Sequence, residues 1–506
     1  MTDSSRDRIT MSHCGRRVRA GVRALALAAT AGALVAACAA SPAAPVPAAP
    51  APAVGDQGVD AKLVFAHYFP PYPISIDNAP ADHDYYTTEY LAPGGSAGAN
   101  AAFGGLLRDR PLPRPVSDSA DWRLQDLETE VQQAISAGIN GFSVDLLTAA
   151  DDSTLWFSDV PTLLMRAAHT VDPNFKIMLM PDISGAPRTW SVERLVDQLA
   201  SWASEPAAFR LSDGRLVVSP YMAENHSAAW WSEFTQLMWS AHGISVALAP
   251  VFTTYDNQAA DFAPISYAMS IWGGRNPAFN PTSGFPLDTI ADAHRRGVRW
   301  MQPVSVQDYR PRDGVFDEAA NTENLRNTWT IAISGGADWV QLVTWNDYSE
   351  GTSFAPSAHH GNALLDISSY YLRWFKLGKP PAIDHDALYL THRQQLVAAQ
   401  PTPPQALRMS LRPGSTPARD NAAALAFLTA PGTVTVRTGD RVTQCALPAG
   451  LGVCTAPLPT SDSDITVGAD LDRSGAVVLA AESPWPVRAH PPVQDLQYTA
   501  TIGVTP

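Results

Sequence analysis

Asp347 and Glu350 lie three positions apart in VTWNDYSEGTSF, residues 343–354, directly after the apolar run Trp339, Val340, Leu342 and Val343. Burial alone does not call for two carboxylates at the exit of a strand. Side chains three residues apart fall on one side of a helical turn or a tight loop. Two close carboxylates repel when both are charged, which raises one pKa and leaves an acid beside a base. Glycoside hydrolysis needs that pairing, because one carboxyl protonates the leaving oxygen while another activates water or attacks. Trp345, Tyr348 and Phe354 add aromatic faces for sugar rings. The competing reading is a solvated or salt-bridged turn, and position along the fold decides between the two.

From Lys62 onward, short β-branched runs alternate with longer amphipathic segments, the pattern of βα units and a parallel sheet. The strand candidates are LVFAHYF, GFSVDLL, KIMLMPD, RLVVSPY, SVALAPV, SYAMSIW, RWMQPVS and WVQLVTWND; helices are expected from Asp126, Val160, Ser191, Trp230, Asp288 and Asn321. Eight repeats predict an α/β fold, a (β/α)8 TIM-like barrel over residues 61–383. A doubly wound sheet is the alternative, but no Gly-rich phosphate loop follows the first strand.

Seven of the eight predicted strands end on a side chain able to bind or react: His67 and Tyr68, Asp145, Asp182, Tyr221 then Glu224, Trp272, Gln302, and Trp345, Asn346 and Asp347. In a barrel these ends share one rim. Asp145 joins Asp347 and Glu350 as a catalytic candidate, and the others are candidates for substrate binding. Each also has a plainer use: Asp182 and Glu224 suit helix caps, His67 suits a buried hydrogen bond, and Trp272 suits packing. His359 and His360 lack further ligands at metal spacing, so neither a metal nor a cofactor is expected.

Beyond Asp384, short alternating runs (ALAFLTA, TVTVRT, DITVGADL, AVVLAAE) between Gly, Pro and Asp turns predict a small antiparallel β-sandwich over 384–506. Cys445 and Cys454 flank a turn and are expected to form a hairpin disulfide.

The first 37 residues carry six arginines and two aspartates, then run apolar from Ala24 to Ala37, as a secretory signal does. Without them the chain holds 29 basic and 47 acidic residues, a net charge of −18. Such a surface disfavours nucleic acid and anionic headgroups. Val35-Ala36-Ala37-Cys38 resembles a bacterial lipobox, which predicts lipidation of Cys38 and a cell-surface lipoprotein; cleavage at a nearby Ala-x-Ala, giving a secreted chain, is the alternative. Residues 38–60 then form an Ala/Pro-rich linker. Contact with a membrane is expected through that anchor only, and a monomer is expected.

VFAHYF (64–69), GINGFSVD (138–145), GRLVVSPYMAE (214–224), WNDYSEGTSFAPS (345–357) and LLDISSYYLRWFKLGKPP (364–381) resemble glycoside hydrolase family 71, the α-1,3-glucanases or mutanases. YLTHR (389–393), FLTAPGTVTV (427–436) and VQDLQYTATIG (493–503) are similar to that family's C-terminal region, so the likeness runs through nearly the whole chain from Lys62. The resemblance implies a barrel with a C-terminal β module, inverting hydrolysis of internal α-1,3-glucosidic bonds in an α-glucan, and roles for Asp145, Asp347 and Glu350. WNDYSEGTSF departs from the WNDWGES-like form and leans toward the endo-α-mannosidases of family 99, which leaves an α-mannan substrate open. The reading from another class is a non-catalytic carbohydrate-binding surface lipoprotein.

Overall fold

The computed structural model describes residues 61–506. The signal, Cys38 and the Ala/Pro linker lie outside the described residues. All eight expected strands are present: β1 (Leu63–Tyr68), β2 (Gly141–Leu146), β3 (Lys176–Pro181), β4 (Leu216–Val218), a fifth in two pieces, β5 (Val246–Leu248) and β6 (Val251–Phe252), then β7 (Ala268–Ile271), β8 (Arg299–Ser305) and β9 (Trp339–Val343). They form one parallel sheet in the order β5-β4-β3-β2-β1-β9-β8-β7-β6. The two edge pieces are successive parts of one stretch, interrupted at Ala249-Pro250, where proline has no N–H for the ladder.

Helices follow the strands: α1 (Trp122–Ser136), α2 (Val160–Val171), α3 (Val192–Ala203), α4 (Ala228–His242), α5 (Phe285–Arg295), α6 (Glu323–Ser334) and α7 (Ala363–Leu377). Local chemistry sets several boundaries. Ser191 and Ser227 accept the backbone N–H of Arg194 and Trp230 and so cap α3 and α4. The first helix begins at Trp122 rather than Asp126, and α5 begins at Phe285 rather than Asp288, because Pro286 tolerates the first turn. Among the described residues no helix is long and apolar enough to cross a membrane.

Period-two alternation divides the sheet between two apolar layers. Leu63, Phe65, Met178, Met180, Val217, Met301 and Trp339 pack together on one face. Val64, Ala66, Tyr68, Phe142, Val144, Leu179, Val340 and Leu342 pack on the other face with helix residues such as Val131, Leu164, Leu199 and Trp329. Gly141 is needed where β2 meets β3, since a Cβ there would lie 2.0 Å from the Lys176 carbonyl oxygen.

The C-terminal part adds two four-stranded antiparallel sheets. One comprises β10 (Ala387–Arg393), β11 (Asn421–Leu428), β14 (Gly450–Pro457) and β17 (Tyr498–Ile502); the other comprises β12 (Gly432–Thr438), β13 (Arg441–Leu447), β15 (Val467–Arg473) and β16 (Ala476–Glu482). Cys445 and Cys454 are bonded, but the hairpin expectation needs correcting. Strand β13 pairs with β12 while β14 pairs with β11, so the bond joins the two sheets across their shared core. Tyr389, Leu425, Phe427 and Ala500 belong to the same apolar cluster as the helix layer, which fuses these sheets to the rest of the molecule.

Candidate active site

At the C-terminal end of the parallel sheet the inward-facing parity continues past the apolar layer into polar residues. His67 follows Phe65 on β1, Asp145 occupies β2, and Asp182 follows Met180 at the end of β3; all are nearly inaccessible. The His67 ring sits 3.1 Å from Met180 Sδ through Nδ1 and 3.6 Å from Asp145 Oδ2 through Nε2. Trp272, beyond β7, meets the His67 ring edge-on at 4.9 Å and Tyr221 at 4.6 Å.

The turn after β9 brings in the remaining carboxylates. Asp347 Oδ1 accepts from Ser349 N at 3.0 Å, Ser349 Oγ at 2.6 Å and Glu350 N at 3.2 Å. The next residue must be glycine, because Gly351 has φ 66° and a Cβ there would lie 2.1 Å from the Tyr309 ring. Glu350 receives both terminal nitrogens of Arg310, Nη1 at 2.7 Å and Nη2 at 2.8 Å. Its side chain is 23% exposed, so the carboxyl is reachable.

Burial dominates the electrostatics of this group. It pushes Asp145 well above the ordinary carboxyl range, with the Asp347 charge adding to the effect. Burial, then Asp145, takes Asp182 up to about 7. Asp347 is raised by burial against the pull of Ser349 and Arg310. For Glu350, burial together with Asp347 and Asp308 outweighs Arg310 and gives about 8. The His67 imidazole is pushed down to about 4, again by burial, although Asp347 and Asp182 oppose this. Asp145, Asp182 and Asp347, each shifted toward its protonated form, therefore neighbour a neutral imidazole, and Glu350 lies next to Asp347.

Other expected site residues lie elsewhere. Tyr68 has the outward parity of β1 and donates from its hydroxyl to Glu130 Oε2 on α1 at 2.6 Å. Gln302 is likewise outward on β8 and accepts from Trp300 Nε1 at 2.8 Å. Trp345 is fully buried against Phe142. Asn346, also buried, accepts Phe69 N at 2.7 Å and donates to the carbonyls of Phe69 and Tyr72, tying the β1 exit to the β9 exit. Glu224 accepts Thr253 N at 2.8 Å and serves the loop after β6. The structure does not bring Tyr68, Gln302, Trp345, Asn346 or Glu224 to the carboxylates.

Arg310, Asp308 and Arg275 were not anticipated. Arg310 and Asp308 follow β8 in QDYRPRDG, six or more residues beyond Gln302 and past the end of the strand pattern. Arg275 is buried with Nη1 on the carbonyls of Trp272 and Gly273 at 2.8 Å, while its Nε and Nη2 have no partner. Among the described residues no group of three or more His, Cys, Asp or Glu side chains is arranged to hold a metal ion. A cavity lined by Arg215, Tyr267 and Arg299 lies at the N-terminal ends of the strands, the face opposite the carboxylates.

The family model described as Glycosyl hydrolase family 71 matches residues 115–488. A mutanase of Penicillium rubens is 24% identical over 402 residues, covering 72% of this chain and 81% of that protein. A glucan endo-1,3-alpha-glucosidase of Schizosaccharomyces pombe is 22% identical, covering 73% of this chain and 88% of that protein. Among solved structures, the GH99 endo-alpha-mannosidase from Bacteroides thetaiotaomicron aligns with 62% of this chain and 98% of its own, at a TM-score of 0.48 and 14% identity.

Proposed function

Because the chain belongs to glycosyl hydrolase family 71, we propose that this glycoside hydrolase cleaves internal α-1,3-glucosidic bonds of an α-glucan by carboxylate acid and base catalysis. The observation that carries the reading is the convergence of Asp145, Asp182, Asp347 and Glu350, each shifted toward its protonated form, in a chain whose curated relatives include a mutanase and a glucan endo-1,3-alpha-glucosidase. The parallel sheet is read as a (β/α)8 barrel with a split fifth strand, because β5 and β6 are successive pieces of one stretch.

Glu350 is assigned as general acid. It is the accessible member and keeps its proton to about 8, which suits delivery to a leaving oxygen near neutral pH. Asp347 is assigned as the base, using Oδ2, since Oδ1 is taken by three turn donors. Inversion, which the resemblance implies, places a water between acid and base carboxyls about 6.5–9.5 Å apart. Asp145 lies beside His67, and the Asp347 charge adds to burial in opposing its ionisation. Tyr221 and Trp272, the latter packed edge-on against the buried neutral His67, form the wall on which a sugar ring rests. The arginine-rich, apolar amino terminus supports export, with lipid attachment at Cys38.

Product analysis across a panel of α-glucans and α-mannans tests the reading. Oligosaccharides from α-1,3-glucan, lost in Glu350→Gln and Asp347→Asn, are expected. Hydrolysis confined to α-mannan would overturn the substrate assignment, and full activity in both variants would overturn the roles.

A further inference from the structure

Arg310 stands between two carboxylates. Besides its paired contact with Glu350, it donates to Asp308 from Nε at 3.0 Å to each oxygen and from Nη2 at 2.7 Å. Asp308 is buried and receives a second cation, Arg412, whose Nη2 is 3.4 Å from Asp308 Oδ1 and whose Nε donates to Asp317 Oδ2 at 2.9 Å. Arg412 belongs to the stretch joining β10 to β11 in the C-terminal sheets. That stretch runs back to the site, where Ser410–Leu411 pairs with Val315–Phe316, which pairs in turn with Tyr309–Arg310. The Arg412 N–H donates to the Phe316 carbonyl at 2.8 Å.

We propose that Arg412 is a positioning residue for the Glu350 carboxyl, acting through Asp308 and Arg310, so that the connection between the C-terminal strands β10 and β11 completes the charge balance of the active site. A guanidinium shared by two carboxylates compensates each only in part. The cation that Arg412 places on Asp308 leaves more of the Arg310 charge to Glu350. The charged and titratable groups acting on Glu350 are Arg310, Asp347, Asp308, Arg275 and Tyr221, and the carboxylates that Arg412 contacts are Asp308 and Asp317. Loss of Arg412 makes Glu350 hold its proton more tightly, whereas loss of the Asp308 charge gives Arg310 to Glu350 alone and loosens the proton. The two changes act with opposite sign, which a packing role does not produce.

The inference rests on Glu350 as the acid. The test is the pH profile of kcat/KM for wild type, Arg412→Gln, Arg412→Lys and Asp308→Asn, on whichever glycan the panel shows to be cleaved. The basic limb is expected to rise by roughly half a pH unit in Arg412→Gln, to fall by about as much in Asp308→Asn and to stay in place in Arg412→Lys. Lower activity in Arg412→Gln with an unmoved limb overturns the proposal. A readout independent of turnover is the pH dependence of the difference in unfolding midpoint between the wild type and Glu350→Gln, repeated in the Arg412→Gln background. It reports the Glu350 proton directly, and an unshifted titration there overturns the proposal even if the substrate assignment fails. If Asp308→Asn does not fold, the two Arg412 variants still decide.

Discussion

Asp347 Oδ1 accepts the backbone N–H of Glu350 at 3.2 Å. One carboxylate of the pair therefore builds the turn that presents the other, and the spacing of three is that of a capped turn as well as of the proposed acid and base. Its second oxygen takes none of the turn's three donors. A substitution at this position has two separable effects.

Asp347→Asn keeps an oxygen for the turn and removes the charge. Hydrolysis is expected to fall by about 10²–10⁴ with the unfolding midpoint little changed. Asp347→Ala also loses the three turn bonds and should cost roughly 1–2 kcal/mol more in stability. Reducing-sugar assays alongside thermal melts separate the two, and equal melting of both variants would contradict the capping role.

Glu350→Gln removes the proposed proton donor while keeping the shape of the carboxyl. Turnover of glucan is expected to fall by about 10²–10⁴, whereas an α-glucosyl fluoride, whose leaving group needs no proton, should be affected much less. A fluoride substrate that suffers as badly as the polymer would remove Glu350 from the role of acid.

Glu130 accepts the Tyr68 hydroxyl in the core, away from the active rim, and burial pushes its carboxyl up to about 8. Below about pH 4.5 the group is protonated in both the folded and the unfolded chain and has no effect on stability. As pH rises toward 8 the unfolded chain ionises and the folded one does not, so the native state loses ground. Glu130→Gln should match the wild type at pH 4 and be roughly 2–4 kcal/mol more stable at pH 8. Denaturant titrations at the two pH values check this, and a gain of equal size at both would point to packing instead.

The bond between Cys445 and Cys454 closes a short loop, with a sequence separation of 9. Loop entropy alone gives about 2–3 kcal/mol for such a closure. Cys445→Ser with Cys454→Ser is expected to lose about that much in the unfolding of the C-terminal sheets and to leave hydrolysis nearly intact. Guanidinium unfolding with and without a reductant measures it; an unchanged midpoint would show that the bond adds nothing to the sheet contacts.

The strands were legible because β-branched runs bounded by turns carry a local signal. Which face of each strand looks inward was not, since both faces are buried and the runs are apolar throughout. His67 and Asp145 fell on the inward parity, while Tyr68 and Gln302, at other registers, fell among the helices. Trp345 and Asn346 sit beside the carboxylates in sequence yet stitch the two strand exits together, a pairing across 277 positions that no local pattern announces. The same holds for Arg310, whose significance depends on Glu350, 40 residues away. The turn between Cys445 and Cys454 looked like a hairpin because chain proximity was visible and sheet partnership was not.

The contacts of Glu318 bear on how this chain can be shortened. Its buried carboxylate meets Arg393 Nη1 at 3.0 Å and the Tyr498 hydroxyl at 2.7 Å, and Arg108, near the start of the described chain, donates from Nε to the Gln494 carbonyl at 2.7 Å. A truncation after residue 383 would take Arg393, Tyr498 and the Arg419 N–H from the buried Glu318 carboxyl, leaving it the Ala320 N–H, and would strip the cover from Tyr370, which packs on Phe427. Whoever seeks a minimal enzyme for crystallisation or display has to keep the last strand as well as the first, and is better served by trimming exposed turns such as 462–463.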